Sequence, residues 1–145
     1  MRVLVDTNIL ILAALSSNGT PYKAFLKAVT YPNKGIICDQ NIEELRRIFN
    51  RKFPQKISLL EHFQCPEKGI SRGNEYMGGA DSPLFRRYSQ MADRKDLVYK
   101  IIKDLQNDGL LSDGDFMNTT MSVSGIYAKR TTNLGDGFLK FISQR

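Results

Sequence analysis

A chain of 145 residues with 41% hydrophobic and 25% charged side chains fits one globular domain of ordinary size or two small ones, and is too apolar for a disordered chain. Its net charge of +6 and pI near 9.4 favour an anionic partner such as nucleic acid. No apolar run is long enough to cross a bilayer, and the first one is broken by Asp6 and Asn8, unlike a signal peptide, so a cytoplasmic protein without a membrane partner is expected.

In chain order, Val3-Leu4-Val5 is a short unbroken apolar run, as expected of a parallel strand covered on both faces. Asp6 stands at its C-terminal end, where open α/β sheets place ligands. The simpler role for Asp6 is to cap the next helix. Ile9 to Leu15 is apolar all round and suits a buried helix. Asn18-Gly19 is a turn signal, and Thr20 is placed to cap a helix that begins with Pro21. Tyr22, Phe25, Leu26 and Val29 then form one packing face.

Ile36-Ile37-Cys38 reads as a second buried strand, with Cys38 in the core. About thirty residues separate the two strands, room for a helical crossover and therefore for parallel pairing. Asp39 is an expected N-cap for a helix running to about Phe53, with Ile42, Leu45 and Phe49 as its apolar stripe. Glu43 shares its side with Arg46 and Arg47 and reads as solvated. Glu44 borders the buried side, so it follows the second strand much as Asp6 follows the first. Its simpler role is a surface ion pair with Arg47 or Arg51. Two carboxylates converging on a basic surface suggest a divalent cation, Mg²⁺ or Mn²⁺. Residues 1–57 hold nine Lys/Arg against four Asp/Glu, a charge of +5, and residues 58–145 hold twelve against eleven, a charge of +1.

The lone histidine, His62, reads as an ordinary helix-surface residue, and Cys38 and Cys65 are too few for a disulfide framework or a zinc site. Residues 64–84 are rich in Gly, Pro and polar groups and read as a linker or long loop. From Asp93 a helical pattern returns, with Val98, Ile101, Ile102 and Leu105 on one face and Gly109 at its close. Leu110-Leu111-Ser112 reads as a short strand, and Met121 to Ala128 as a strand bulged at Gly125. A last helix follows Lys129-Arg130-Thr131-Thr132, with Leu134, Phe138, Phe141 and Ile142 on one face.

Val-Leu-Val-Asp-Thr-Asn at 3–8, the apolar helix after it and Glu44-Leu45-Arg46-Arg47-Ile48 resemble the N-terminal half of a PIN domain, of the bacterial toxin type, over residues 1 to about 57. The resemblance implies a metal-dependent ribonuclease. Asp6 and Glu44 would be catalytic metal ligands, with Thr7 and Asn8 orienting the site. Mg²⁺ or Mn²⁺ would be the cofactor, RNA the substrate, and an antitoxin protein a partner. Phosphodiester hydrolysis asks more of a site than two acids. The later PIN aspartate stretches are not found; Asp81 is the nearest candidate ligand, then Asp113 or Asp115, and Ser112-Asp113-Gly114-Asp115 also reads as a plain turn. Arg46, Arg47 and Arg51 would bind nucleic acid.

Ile101 to Leu111, with Thr132-Asn133-Leu134-Gly135 after a hairpin, resembles the winged-helix family over about residues 86–145. That resemblance implies DNA binding, with Lys100, Lys103 and Asn107 as the exposed stripe and Arg94, Lys95, Lys129 and Arg130 near phosphates, or else a protein-contact or dimerising role. Asp96 and Asp104 among these lysines oppose direct DNA readout.

The expected architecture is an α/β N-terminal part with a short parallel sheet at 1–63, a linker at 64–84, and an α+β winged-helix-like part at 85–145. Three functional accounts follow. In the first, residues 58–145 complete a divergent nuclease, with Asp81, Asp113 or Asp115 completing the metal site; in the second, the chain is a non-catalytic nucleic-acid-binding or regulatory protein with a PIN remnant; in the third, it is a fusion without retained activity.

Overall fold

The computed structural model describes residues 1–16, 18–68 and 77–143. The chain is a mixed α/β protein in which helix predominates, and it divides into two compact units, Met1–Lys52 and Phe53–Arg145.

In the first unit, β1 (Arg2–Leu4) leads into helix α1 (Thr7–Leu15), helix α2 (Thr20–Val29), β2 (Lys34–Ile36) and helix α3 (Asp39–Lys52). β1 and β2 pair in parallel, Arg2 with Lys34, Val3 with Gly35 and Leu4 with Ile36. The expected crossover through helix is therefore present, with β2 starting two residues earlier than the sequence suggests. α1 packs on α2 and α3, and α2 on β2. Gly35 is the point of close approach: a Cβ there would meet Val29 Cγ1 at 2.8 Å.

Several local expectations change. β1 is not covered on both faces, because Leu4 is 70% exposed. α1 is only half buried: Thr7, Ile11 and Ala13 face inward while Leu12 is 48% exposed. Gly19, not Thr20, is the N-cap of α2, since Thr20 is already helical and Pro21 follows in the first turn. Cys38 is exposed rather than in the core.

The second unit contains helix α4 (Pro54–Gln64), β3 (Met77–Gly78), helix α5 (Asp81–Arg87), a 3₁₀ turn (Ser89–Arg94), helix α6 (Lys95–Asn107), β4 (Met121–Ser122), helix α7 (Val123–Ile126) and helix α8 (Asn133–Ser143). The sequence reading assigns 54–63 to the first part. By its packing α4 belongs to the second, burying Ile57, Leu59, Leu60 and Phe63 as it contacts α6 and α8. The expected linker at 64–84 is partly core: Ala80, Pro83 and Leu84 are buried, so 77–84 is built into the unit, while residues 69–76 lie outside the described residues.

α6 follows its sequence pattern closely. Val98, Ile101, Ile102 and Leu105 are all buried. Gly109, at φ +75°, ends the helix in a left-handed turn, with Gly109 N–H donating to Gln106 O at 3.0 Å and Leu110 N–H to Leu105 O at 2.9 Å. That is a Schellman closure, which satisfies carbonyls the helix end would otherwise leave open. Thr132 Oγ1 then accepts from Gly135 N at 3.1 Å and donates to Gly109 O at 2.5 Å, joining the end of α6 to the start of α8. Gly135 packs against the Leu110 carbonyl, where a Cβ would collide.

Two strands shrink. Leu110-Leu111-Ser112 contributes one antiparallel bridge, Leu111 to Thr131. The bulged strand expected at 121–128 is only Met121–Ser122, paired antiparallel with Met77–Gly78, and the chain then turns into α7. On α8 the buried residues are Gly135, Leu139 and Ile142, while Leu134 is 61% exposed, so the packed face is rotated from the one expected.

His62 overturns its surface reading. It is fully buried, and neither ring nitrogen has a hydrogen-bond partner among the described residues. The ring packs edge-on to Phe63 at 5.0 Å. Leaving a buried polar group unpaired costs about 1–3 kcal/mol. The neighbouring Leu59, Leu60 and Phe63 each return about 1.5–3 kcal/mol on burial, so the helix stays inward-facing. Burial, and then the Arg87 charge, lower its pKa from 6.5 to about 3.

Two outcomes are expected. Gly109→Ala places a Cβ in the left-handed region and should lower stability by about 1–2 kcal/mol. Gly137→Ala, in α8 with open space around it, should raise it by about 0.5–1 kcal/mol; urea unfolding followed by circular dichroism reads both. The pH dependence has a definite sign. Folded His62 stays neutral to about pH 3 while the unfolded residue takes a proton near 6.5, so the unfolded state binds more protons in between. Stability should therefore be full above pH 6.5 and fall by about 1.5–2 kcal/mol between pH 6.5 and 5. Since the chain has one histidine, His62→Phe should flatten that interval; an equal slope in the variant would refute the assignment.

Candidate functional site

Parallel pairing sends both strands of the first unit out over one edge, where α1 and α3 begin. Asp6 is the N-cap of α1, its Oδ2 accepting from Asn8 N at 3.1 Å. The simpler capping role for Asp6 is thus realised. It uses one carboxylate oxygen in that bond, and Asp6 remains exposed. Thr7, by contrast, is 2% exposed, and its hydroxyl accepts from Asn41 Nδ2 at 2.7 Å. Asn41 Oδ1 in turn accepts from Cys38 N at 3.2 Å and from the Cys38 thiol at 2.7 Å. Asn41 therefore clasps the start of α1 to the strand exit before α3.

Asn41 lies three residues before Glu44, so the two share a side of α3 within one turn. Glu44 is exposed and makes no ion pair among the described residues, so the expected pair with Arg47 or Arg51 is not formed there. Glu43 does pair, with Arg46, in keeping with its solvated reading. Arg47 and Arg51 are exposed on α3. Asn8 is exposed and contributes its backbone N–H to Asp6. Sequence reasoning missed Asn41. Its signal was a short polar side chain in the first turn of a helix directly after a strand, the kind that bonds back to backbone.

The donors at this edge are hard oxygens, the chemistry that suits Mg²⁺ or Mn²⁺, and Mg²⁺ commonly binds one or two carboxylates while keeping several waters. Asp6 and Glu44 fit such an ion in kind. No three His, Cys, Asp or Glu side chains gather around a common point among the described residues.

Asp81 lies in the second unit, in the first turn of α5. There burial raises the Tyr99 pKa, and Asp81, Asp115 and Asp96 raise it further, so the alternative acids Asp81 and Asp115 bear on one hydroxyl. Asp113 and Asp115 lie in a turn: Gln106 Nε2 donates to Ser112 O at 2.9 Å and Gly114 O at 2.8 Å, and Asp115 Oδ1 accepts from Asn118 N at 3.3 Å. The plain-turn reading of this stretch describes its geometry. A cleft of about 440 Å³ beside it is lined by Tyr99, Lys103, Gln106, Asp115 and Phe116, among others.

Of the basic residues nominated in the second unit, Lys100 and Lys103 are exposed on α6, as is Asn107. Lys129 is taken up by Asp136 at 2.5 Å. Hydrogen bonds from Lys129, Thr131 and Gln64 hold the Asp136 carboxyl below its ordinary range, although burial works slightly against them. Arg130 is half-buried, donating to Gly125 O at 2.8 Å and to Met121 Sδ at 3.3 Å, with its guanidinium 5.1 Å from the Phe116 ring centre. Lys129 and Arg130 are thus engaged within the unit. No helix among the described residues is long and apolar enough to cross a membrane.

No family model, no curated protein and no solved structure matches this chain.

Proposed function

We propose that this chain is a PIN-like, metal-dependent ribonuclease of toxin type that works through Asp6 and Glu44. The observation that carries the reading is the bond from Asn41 to Thr7, which ties the turn before Glu44 to the residue after Asp6. The sequence resemblance at 3–8 and 44–48 supports it. So does the parallel pairing that brings both βα junctions to one edge.

On this reading Asp6 and Glu44 would hold Mg²⁺ or Mn²⁺. The Asn8 N–H fixes one oxygen of Asp6, leaving the other for the ion. Thr7, held by Asn41, keeps the carboxylate-bearing turn rigid. Arg47 and Arg51, exposed along α3, meet the RNA backbone. A divalent ion held there would supply an activated water and positive charge to offset the charge developing on the phosphodiester. The partners are RNA and an antitoxin protein.

A second reading, nucleic-acid or regulatory binding by a winged-helix-like second part, is favoured by the exposed Lys100, Lys103 and Asn107 on α6. The segment that would form the wing is helical at Val123–Ile126, which weighs against it.

If the nuclease reading is right, Asp6→Ala and Glu44→Ala each abolish Mg²⁺-dependent cleavage of single-stranded RNA, and Asn41→Ala reduces it roughly tenfold, as for groups that orient metal ligands. A wild-type chain that neither cleaves RNA nor takes up Mg²⁺ or Mn²⁺ by calorimetry would sink it. For the second reading, a gel shift on duplex DNA should weaken with salt and disappear in Lys100→Glu/Lys103→Glu. A shift that survives both changes would place the binding elsewhere.

A further inference from the structure

Parallel strands are ordinarily covered on both faces, and a two-stranded ribbon is marginal by itself. In the first unit α2 packs on the sheet, with Val29 against Gly35. The other face carries the side chains of alternate residues: Arg2 and Leu4 on β1, and their register partners Lys34 and Ile36 on β2. Leu4 is 70% exposed and Ile36 38%. Arg2 and Lys34 are exposed beside them and form no ion pair among the described residues.

The edge of the sheet is open on the same residues. Lys34 N donates to Met1 O at 2.8 Å and Val5 N to Ile36 O at 2.9 Å. Met1 and Val5 therefore turn their backbone toward β2, and Arg2 and Leu4 turn theirs outward. An aliphatic pair and a cationic pair on the sheet face adjoin a β1 edge that has no strand partner among the described residues.

We propose that this face and edge dock an extended segment of a partner protein, added as a third strand beside β1 and carrying a carboxylate two residues from an aliphatic side chain. The edge supplies main-chain hydrogen bonds, and the alternating side chains supply selectivity. Carboxylates meet Arg2, with Lys34 on the next strand adding to the positive charge, and the aliphatic group packs on Leu4, extending the apolar patch of Leu4 and Ile36. Charge argues against a second copy of the chain, because like faces would oppose Arg2 and Lys34 to themselves on a unit with eight Lys/Arg and four Asp/Glu. Chemistry argues against nucleic acid, because Leu4 and Ile36 offer no ring on which a base can stack. The proposal is independent of the nuclease reading.

The test is a ¹⁵N–¹H NMR titration of the full chain with a peptide of two Glu-Thr-Val-Thr repeats, and with its Lys-for-Glu counterpart. The Glu peptide should shift the amides of residues 2–5 and 34–37, with binding about tenfold weaker in Arg2→Glu/Lys34→Glu and weaker again at high salt. Leu4→Thr, which keeps both charges, should also weaken it. The rest of the spectrum reports whether each variant is folded. The proposal is overturned if these amides stay still, if the Lys peptide moves them equally, if single-stranded RNA moves them at lower concentration, or if they shift with protein concentration alone.

Discussion

Parallel pairing between Arg2–Leu4 and Lys34–Ile36 is the constraint on which the first unit turns. A parallel pair needs a crossover, and the crossover sends both strands out over the same edge. Two helices therefore start side by side, with their unpaired N–H groups near one another. Asp6 satisfies one of these ends from within its own segment, while Asn41 reaches across to Thr7. The strands themselves are three residues each, too short to set this arrangement alone. The side-chain bonds at the exits share that task, and they leave Asp6 exposed at the cap of α1 and Glu44 exposed in the early part of α3.

Where sequence and structure agree, the cause is regular. Val98, Ile101, Ile102 and Leu105 lie in a helix of 13 residues, long enough for a 3.6-residue period to stand out, with Gly109 as an unambiguous stop. Parallel pairing was legible because the spacing between strands left no tight turn as an alternative. Asp6 was legible both as a cap and as a candidate ligand, since one carboxylate at a strand exit serves either purpose.

Where they disagree, a short-range pattern was overruled by packing. The alternation at Met121 to Ser124 spans too few residues to commit the chain to a strand. Gly125 lets the backbone close onto Met121, where a Cβ would lie 2.9 Å from its sulfur, and α7 forms instead. A lone histidine suits a helix surface, yet Leu59, His62 and Phe63 fall at i, i+3 and i+4, and the helix buries that face whole. The Asn41–Thr7 bond was not legible, because a hydrogen bond between residues so far apart in sequence leaves no local signature.

The closure around Thr132 has a consequence for how this chain could change over time. Ser112 N donates to Arg130 O and Thr132 N to Leu110 O, so the excursion between α6 and α8 is pinned at its neck, while Phe116 and Met117 anchor its middle. Asp113 and Gly114 lie between the two anchors, exposed, with nothing crowding the glycine and the Gln106 amide of α6 holding the Gly114 carbonyl. Lengthening a loop whose ends are already held costs little chain entropy. Asp113 is therefore where extra residues can accumulate, or a tag be grafted, provided the Gln106–Gly114 bond to α6 is kept.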